Sequence, residues 1–355
     1  MMIKDINTLL KMMVDRRASD LHISAGSPLQ LRIDEDLVQI DDHKLTPEES
    51  KQLTYSILSE PQIEKFERLW ELDMAFGVKG LGRFRVNVFK QRSSVSSSLR
   101  VIPFNIWNFE ECGLPADVVT GLCKKPKGLV LITGATGSGK STTLASMIDW
   151  INADRACHII TIEDPIEFVH KNKKAIVEQR EVFSDTHSFA ASLKHVLRQD
   201  PDVILIGEMR DLETIESALV IAETGHLVFA TLHTSDAVQT INRIIDVFPS
   251  HQQQQIRTQV SFILQAILSQ QLIPIQNSTG RVLATEILIA TPAIRSLIRE
   301  SKIHQIYSVL QTSQKDKMKT MNQAFYELYQ KKLISYEEAF ARTTDAEDLL
   351  RIFKR

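Results

Sequence analysis

The apolar positions of the chain keep two different rhythms. Up to about residue 102 they alternate, or fall at helical spacing, in short pieces. Ile3, Ile6, Leu9, Leu10, Met13 and Val14 recur at helical spacing, which predicts a short amphipathic helix. "SDLHIS" (19–24) and "LQLRID" (29–34) alternate like half-buried strands around the turn "AGSP". "LTPEESKQLTYSIL" opens with Thr46, Pro47 and Glu49, a capping box with proline at the first helical position. In "GRFRVNVFKQR" (82–92), Phe84, Val86 and Val88 fall on one side of a strand and Arg83, Arg85 and Asn87 on the other. "SSVSSSLRVIP" (93–103) predicts another strand, ended by Pro103. Together these pieces predict a small α+β domain over 1–102.

"PFNIWNFEECGLP" (103–115) is mixed in polarity and carries two prolines, and it reads as a linker or hinge. Beyond it the rhythm changes. Continuous apolar runs alternate with longer helical patterns over 116–355, which predicts a parallel sheet flanked by helices. From about 293 onward the chain is mostly helical, through "AIRSLIRE", "IHQIYSVLQ" and "MNQAFYELYQKKLISYEEAFAR". No internal repeat or low-complexity tract interrupts this order.

Charge narrows the functional classes. The 355 residues carry a formal net charge of −2, which argues against broad electrostatic binding to nucleic acid. The short basic runs "KNKK" (171–174) and "KDKMK" (315–319) read as solvated loops. The three cysteines, Cys112, Cys123 and Cys157, form no CxxC pair, so neither a four-cysteine zinc site nor a disulfide framework is expected. No basic-then-apolar leader opens the sequence, and no apolar run approaches the roughly 20 residues of a membrane helix. A soluble, cytoplasmic protein is expected, with peripheral attachment to a membrane machine left open.

The chemistry concentrates after the linker. "GATGSGKS" (134–141) matches G-x-x-x-x-G-K-[ST], with the strand "GLVLIT" before it and a helix after it. Glycines let successive backbone N–H groups turn toward one anion, and the helix start behind them adds partial positive charge. The loop Gly134, Ala135, Thr136, Gly137, Ser138, Gly139, Lys140, Ser141 and Thr142 is therefore the predicted phosphate cradle. The expected ligand is ATP or ADP, and Lys140 supplies charge for the β phosphate and, in ATP, the γ phosphate. Ser141 is a Mg²⁺ ligand, the ion being implied by the phosphates.

Three further apolar strands end in polar groups: Glu163 and Asp164 after "HIITI", Glu208 after "DVILIG", and His233 after "HLVFATL". In open α/β sheets ligands bind outside the carboxyl ends of the strands, so these groups are expected beside the phosphate loop. Glu163 is the expected base for the attacking water, and Glu208 is placed to hold Mg²⁺ or its water shell. His233 is placed to hydrogen-bond the γ-phosphate. Each acid is alternatively a helix cap or a surface carboxylate, and Asp164 before Pro165 is as readily a turn former. His226, seven residues before His233, is either a site residue or a structural histidine. Phosphoryl transfer needs a further cation, and the loop region offers Lys140 only. Arg85 and Arg100, on polar strand faces of the first domain, are candidates if that domain meets a neighbour's nucleotide.

The phosphate loop "GATGSGKST", the acidic "TIEDPIEFVH", "LIGEMRD" and the histidine segment "GHLVFATLHTSDAVQTINRIIDVFP" occur in this order. Together they resemble the type II/IV secretion ATPase superfamily. "SDLH" near the start, the chain length and "AIRSLIRE" (293–300) narrow the resemblance to the type IV pilus retraction ATPases, the PilT family of twitching-motility motors. The resemblance implies a PAS-like amino-terminal domain, a RecA-like ATPase domain and a ring-shaped homohexamer with nucleotide at subunit boundaries. It implies Glu163 as the catalytic glutamate and Glu208 as the Walker B acid, with His226 and His233 in the histidine box. It assigns Arg85 and Arg100, with Arg83 as substitute, to the inter-subunit arginines. It further implies an inner-membrane pilus platform protein as partner, with no nucleic acid and no membrane insertion of the chain itself.

Two positions depart from the family pattern: Ala135 stands where Pro is common, and Ser296 where Asn is usual. Apart from the resemblance, "AIRSLIRE" also reads as an ordinary amphipathic helix that packs through Ile294, Leu297 and Ile298, with Arg295, Arg299 and Glu300 facing out. The alternatives are a pilus-assembly, accessory retraction or type II secretion ATPase, a nucleotide-gated regulatory scaffold, and a nucleic-acid translocase. The assembly and secretion relatives usually carry a four-cysteine element and a longer amino-terminal region.

Overall fold

Alternation and continuous apolarity lead to two different sheets in the computed structural model, which describes residues 5–33, 36–102 and 106–354. The chain divides into two units, Met1–Asn105 and Ile106–Arg355. Ile3, Asp34 and the linker's first three residues, 103–105, lie outside the described residues.

In the first unit helix α1 (Ile6–Asp15) leads into strands β1 (Asp20–Ile23), β2 (Pro28–Ile33) and β3 (Asp36–Lys44). Helices α2 (Pro47–Tyr55) and α3 (Glu60–Leu69) follow, then strands β4 (Glu71–Val78), β5 (Gly82–Gln91) and β6 (Ser94–Ile102). The capping box forms at the start of α2: the Glu49 N–H donates to Thr46 Oγ1 (3.2 Å), and the Thr46 N–H donates to Glu49 Oε2 (2.7 Å). The six strands make one antiparallel sheet in the order β3-β2-β1-β6-β5-β4. Because side chains alternate across a strand, Phe84, Val86 and Val88 enter the core with Leu21, Leu31 and Leu99, while Arg85 and Arg100 stand exposed on the other face.

The second unit follows the βα rhythm. Helix α4 (Ala116–Cys123) precedes β7 (Gly128–Thr133), α5 (Lys140–Asp154), β8 (His158–Glu163), β9 (Ile176–Glu181) and α6 (Phe189–Val196). Then come β10 (Val203–Ile206), α7 (Leu212–Glu223), β11 (Leu227–Leu232), α8 (Ala237–Asp246) and α9 (Gln253–Ile263). The hairpin β12 (Leu264–Pro274) and β13 (Arg281–Ile289) precedes five helices: α10 (Pro292–Arg299), α11 (Ile306–Thr312), α12 (Met321–Gln330), α13 (Tyr336–Arg342) and α14 (Ala346–Phe353).

The second sheet runs β13-β12-β7-β11-β10-β8-β9. Its strands are parallel except the edge strand β13, which returns antiparallel to β12, so the sheet is mixed where the apolar rhythm predicts a parallel one. Strands β7, β10 and β11 are buried at every residue because helices cover both faces. Each fully buried Leu, Ile or Val is worth about 1.5–3 kcal/mol. That rigid middle fixes where the strand ends point. No described helix is long and apolar enough to cross a membrane.

Candidate nucleotide site

Four adjacent strands, β7, β11, β10 and β8, run parallel and in register, so their carboxyl ends fall along one edge. Leu232 pairs with Thr133, and Ile206 pairs with both Ala230 and Ile162. The next residues outward are Gly134, His233, Gly207 with Glu208, and Glu163. The sheet thus brings the phosphate loop, both glutamates and His233 to the same edge.

The loop is shaped by its glycines. Gly134 has φ 138°, Gly137 78° and Gly139 89°, which side-chain-bearing residues rarely adopt. A Cβ on Gly134 would also collide with the Gln270 carbonyl and the Ser138 hydroxyl. Two polar pairs tie the loop's flanks to β12: Thr133 Oγ1 donates to Ser269 Oγ (2.8 Å), and Gln270 Nε2 donates to Thr143 Oγ1 (2.7 Å). Lys140 opens α5, and its amine donates to the carbonyls of Gly134 (2.8 Å) and Ala135 (3.0 Å). Burial lowers its pKa, while Glu208 and Glu167 pull it back up. The Ser138 hydroxyl is buried with no partner, a donor left unspent inside the cradle. Ala135, Thr136 and Gly137 are exposed at the tip, while Ser141 and Thr142 lie half-buried in the first turn of α5.

The acids differ in how they are held. Thr161 Oγ1 (2.6 Å) and Gln179 Nε2 (3.1 Å) both donate to Glu163 Oε1. Burial raises the Glu163 pKa, and these two donors oppose the rise. Gln179, in register with Thr161, also donates to the Phe168 carbonyl (2.8 Å) and accepts from the His170 N–H (2.8 Å). It therefore fixes the segment after Glu163 as well as its carboxylate. Glu208 is bound by Arg210 Nη2 (2.7 Å) and His233 Nε2 (3.1 Å). Burial pushes the Glu208 carboxyl up, but Arg210 and His233 outweigh it and hold it below its ordinary value. Gly207 lies between the acids: its N–H donates to the Ile162 carbonyl (2.8 Å), and a Cβ there would come within 3.2 Å of the Glu163 Cα. Asp164 is exposed.

The donors fit a magnesium ion that arrives with a nucleotide. Ser141 and Glu208 offer hard oxygens, and no group of three His, Cys, Asp or Glu among the described residues is able to hold a metal by itself.

Three expectations need correction. His226 precedes β11 and so lies at the opposite edge of the sheet from His233. Its Nδ1 lies 3.1 Å from the Ile221 carbonyl and 3.2 Å from Thr224 Oγ1, at the end of α7, and its carbonyl accepts from the Gly128 N–H. It cannot share the phosphate edge, because strand β11 separates it from His233. Second, Lys140 is not the sole cation of this edge, since Arg210 stands on Glu208. The sequence places Arg210 two residues after Glu208, which was the available signal. Third, Arg295 does not face out. Its guanidinium donates to the carbonyls of Ser261, Phe262 (2.7 Å), Leu264 (2.7 Å) and Ala290 (2.9 Å), closing the end of α9. Ser296 is half-buried, and its hydroxyl donates to Oε1 of the exposed Glu300 (2.7 Å).

Arg85 and Arg100 lie in the first unit, directly opposite each other on β5 and β6. Of the basic runs, Lys173 pairs with Asp149, Lys317 with Asp117 and Lys319 with Glu327, so these cations are neutralised by their own chain.

Residues 1–340 match the family model described as "Type II/IV secretion system protein". The chain belongs to this family. Within it, the chain is 49% identical over 338 residues to the type IV pilus retraction ATPase PilT of Pseudomonas aeruginosa, covering 94% of this chain and 97% of that protein. It is 44% identical over 336 residues to a twitching motility protein of Neisseria gonorrhoeae, covering 95% and 89%. Among solved structures, the pilus retraction motor PilT with bound ADP superposes with a TM-score of 0.93 at 52% identity, over 98% of this chain and 99% of that one. The family fold, an α/β ATPase unit behind an amino-terminal α+β unit, is the fold described above.

Proposed function

We propose that this chain is a ring-forming ATPase that drives retraction of type IV pili and hence twitching motility. One observation carries the reading. Lys140, Glu163, Glu208 and His233 converge at four neighbouring strand ends, in a chain that resembles PilT along nearly its whole length.

The proposed division of labour is as follows. Loop amides of residues 134–142 and the Lys140 amine bind the phosphates of ATP. Glu163, oriented by Thr161 and Gln179, takes the proton of the attacking water. Ser141 and Glu208 would hold a Mg²⁺ ion arriving with the nucleotide, which would supply positive charge to the phosphates. His233 and Arg210 add donors beside Glu208, and His233 reaches the γ-phosphate. Arg85 and Arg100 of one protomer stabilise the charge on a neighbour's γ-phosphate, so ATP clamps the 1–102 domain of one subunit to the 116–355 domain of the next. Loss of the γ-phosphate releases that clamp, and the 103–115 segment is the hinge. The working form is a homohexamer at the cytoplasmic face of the inner membrane, acting on a platform protein of the pilus machine. Nucleic acid is not a partner.

Deletion of the gene, scored for surface pili and twitching, tests the reading. Excess pili with lost motility is the expected outcome. Loss of pili would make it an assembly motor instead.

A further inference from the structure

The retraction reading leaves unexplained why "SDLH" places an acid between arginines of the neighbouring strands. In the ladder β5-β6-β1-β2, Arg85 pairs with Arg100, Arg100 with Asp20, and Asp20 with Arg32. One rank across four strands therefore reads Arg, Arg, Asp, Arg on the face away from the core. Two like charges directly opposite each other repel. Asp20 is the one carboxylate in the rank, and it is 4% exposed. Ser19 Oγ donates to its Oδ2 (2.8 Å), and Arg100 Nε donates to its Oδ1 (2.7 Å). The Arg100 side chain itself is 67% exposed.

The geometry matters because an arginine has two edges. Asp20 grips the inner one, at Nε, from a buried and doubly bonded position. That contact uses Nε and leaves the edge of the two terminal amino groups, on this exposed side chain, to meet a phosphate in fork geometry. An arginine held this way loses little freedom when it meets an anion, so the ordering cost is met before binding. Asp20 also offsets part of the repulsion between Arg85 and Arg100, which keeps both on the same face.

We propose that Asp20 is a positioning residue for Arg100, aiming its guanidinium at the γ-phosphate bound by the adjoining protomer. This rests on the inter-subunit role of Arg100 in the reading above. It assigns the acid of "SDLH" a part in turnover although Asp20 belongs to the other unit from the phosphate loop.

The test uses full-length rings. Asp20→Asn is expected to lower kcat about 10-fold with little change in the KM for ATP, as loss of one charge-assisted hydrogen bond predicts. The double variant Asp20→Asn/Arg100→Ala is expected to turn over no more slowly than Arg100→Ala alone. The decisive measurement mixes subunits. Lys140→Ala subunits bind no nucleotide but keep an intact arginine rank, so mixing them into Asp20→Asn rings should raise turnover per ATP-competent subunit. A merely structural defect would not be rescued in trans. Asp20→Glu, which keeps the carboxylate but moves it by a methylene, guards against misfolding of the Asn variant; it should show the same rescue with a smaller initial loss. Wild-type turnover in Asp20→Asn, or a double variant slower than Arg100→Ala, or no rescue by mixing when Arg100→Ala is rescued, overturns the proposal alone. If Arg100→Ala itself keeps full turnover or is not rescued, the inter-subunit reading falls with it.

Discussion

The two units solve the placement of charge in opposite ways. In the second, chemistry sits at strand ends, where four parallel strands stop in register and their next residues share one edge. In the first, Arg85 and Arg100 stand on the flank of an antiparallel sheet, each in mid-strand. The same contrast holds for buried carboxylates. Asp20, 4% exposed, is met by a guanidinium at 2.7 Å. Glu286, 3% exposed, is met only by the backbone N–H groups of Ala237 (2.9 Å) and Met321 (3.3 Å). Burial drives the Glu286 pKa up to about 7, although its two backbone amides oppose the rise. The strand ends gather a glycine-rich loop, two acids and an imidazole along one edge of one chain. A strand face offers cations that act only on something brought to them.

The largest effect expected from this contrast is on Glu163. Glu163→Gln should lower kcat by about 1,000-fold while nucleotide still binds, as for loss of a general base. In mixed rings Lys140→Ala subunits should not rescue it, because both changes lie in the same strand-end site; rescue would erase the distinction between the two units. Since burial raises the Glu163 pKa and a base acts only when ionised, wild-type activity should rise with pH above the usual carboxylate range.

Glu286 comes next. Its folded pKa of about 7 lies above the ordinary 4.5, so the unfolded chain releases this proton first. Its contribution to stability is complete below about pH 4.5 and is lost as pH climbs to about 7, amounting to about 3 kcal/mol. Urea unfolding should show that decline, and Glu286→Gln should flatten it. An unchanged slope in the variant would mean that the amides alone offset the burial of Glu286.

A smaller change is expected at Gly207. An alanine Cβ there meets backbone of β8 at 3.2 Å, so the two acids must separate slightly. Turnover should drop about 10-fold, as displacements of this kind do. His226→Ala should have the smallest effect, about 1 kcal/mol in thermal unfolding and none on kcat, because its ring contacts only the end of α7. A turnover defect would bring His226 back to the reaction.

These contrasts also separate what was legible in the sequence from what was not. The strand ends were legible because parallel strands buried on both faces read as continuous apolar runs, and the first polar residue after each run marks the edge. Arg85 was legible from alternation alone. Strand β3 was not, since every residue of it is exposed or half-exposed and offers no apolar stripe. The supports of Glu163 were hidden for a different reason. Gln179 lies 16 residues away and reaches it only because β9 pairs with β8, although Thr161, two residues before Glu163 on the same side of the strand, was a usable sign. The inward turn of Arg295 was hidden because helical spacing marks which side chains are apolar, not which carbonyls a neighbouring helix leaves unpaired.

Glu286 has one more consequence. Its two oxygens tie together the starts of α8 and α12, so the stretch following His233 and the terminal helices share a buried tether. Pulling either helix start out of reach strands an amide and a carboxylate oxygen in the interior, at a cost of about 1–3 kcal/mol. A load applied to the terminal helices is therefore expected to reach the loop that carries His233 through this side chain.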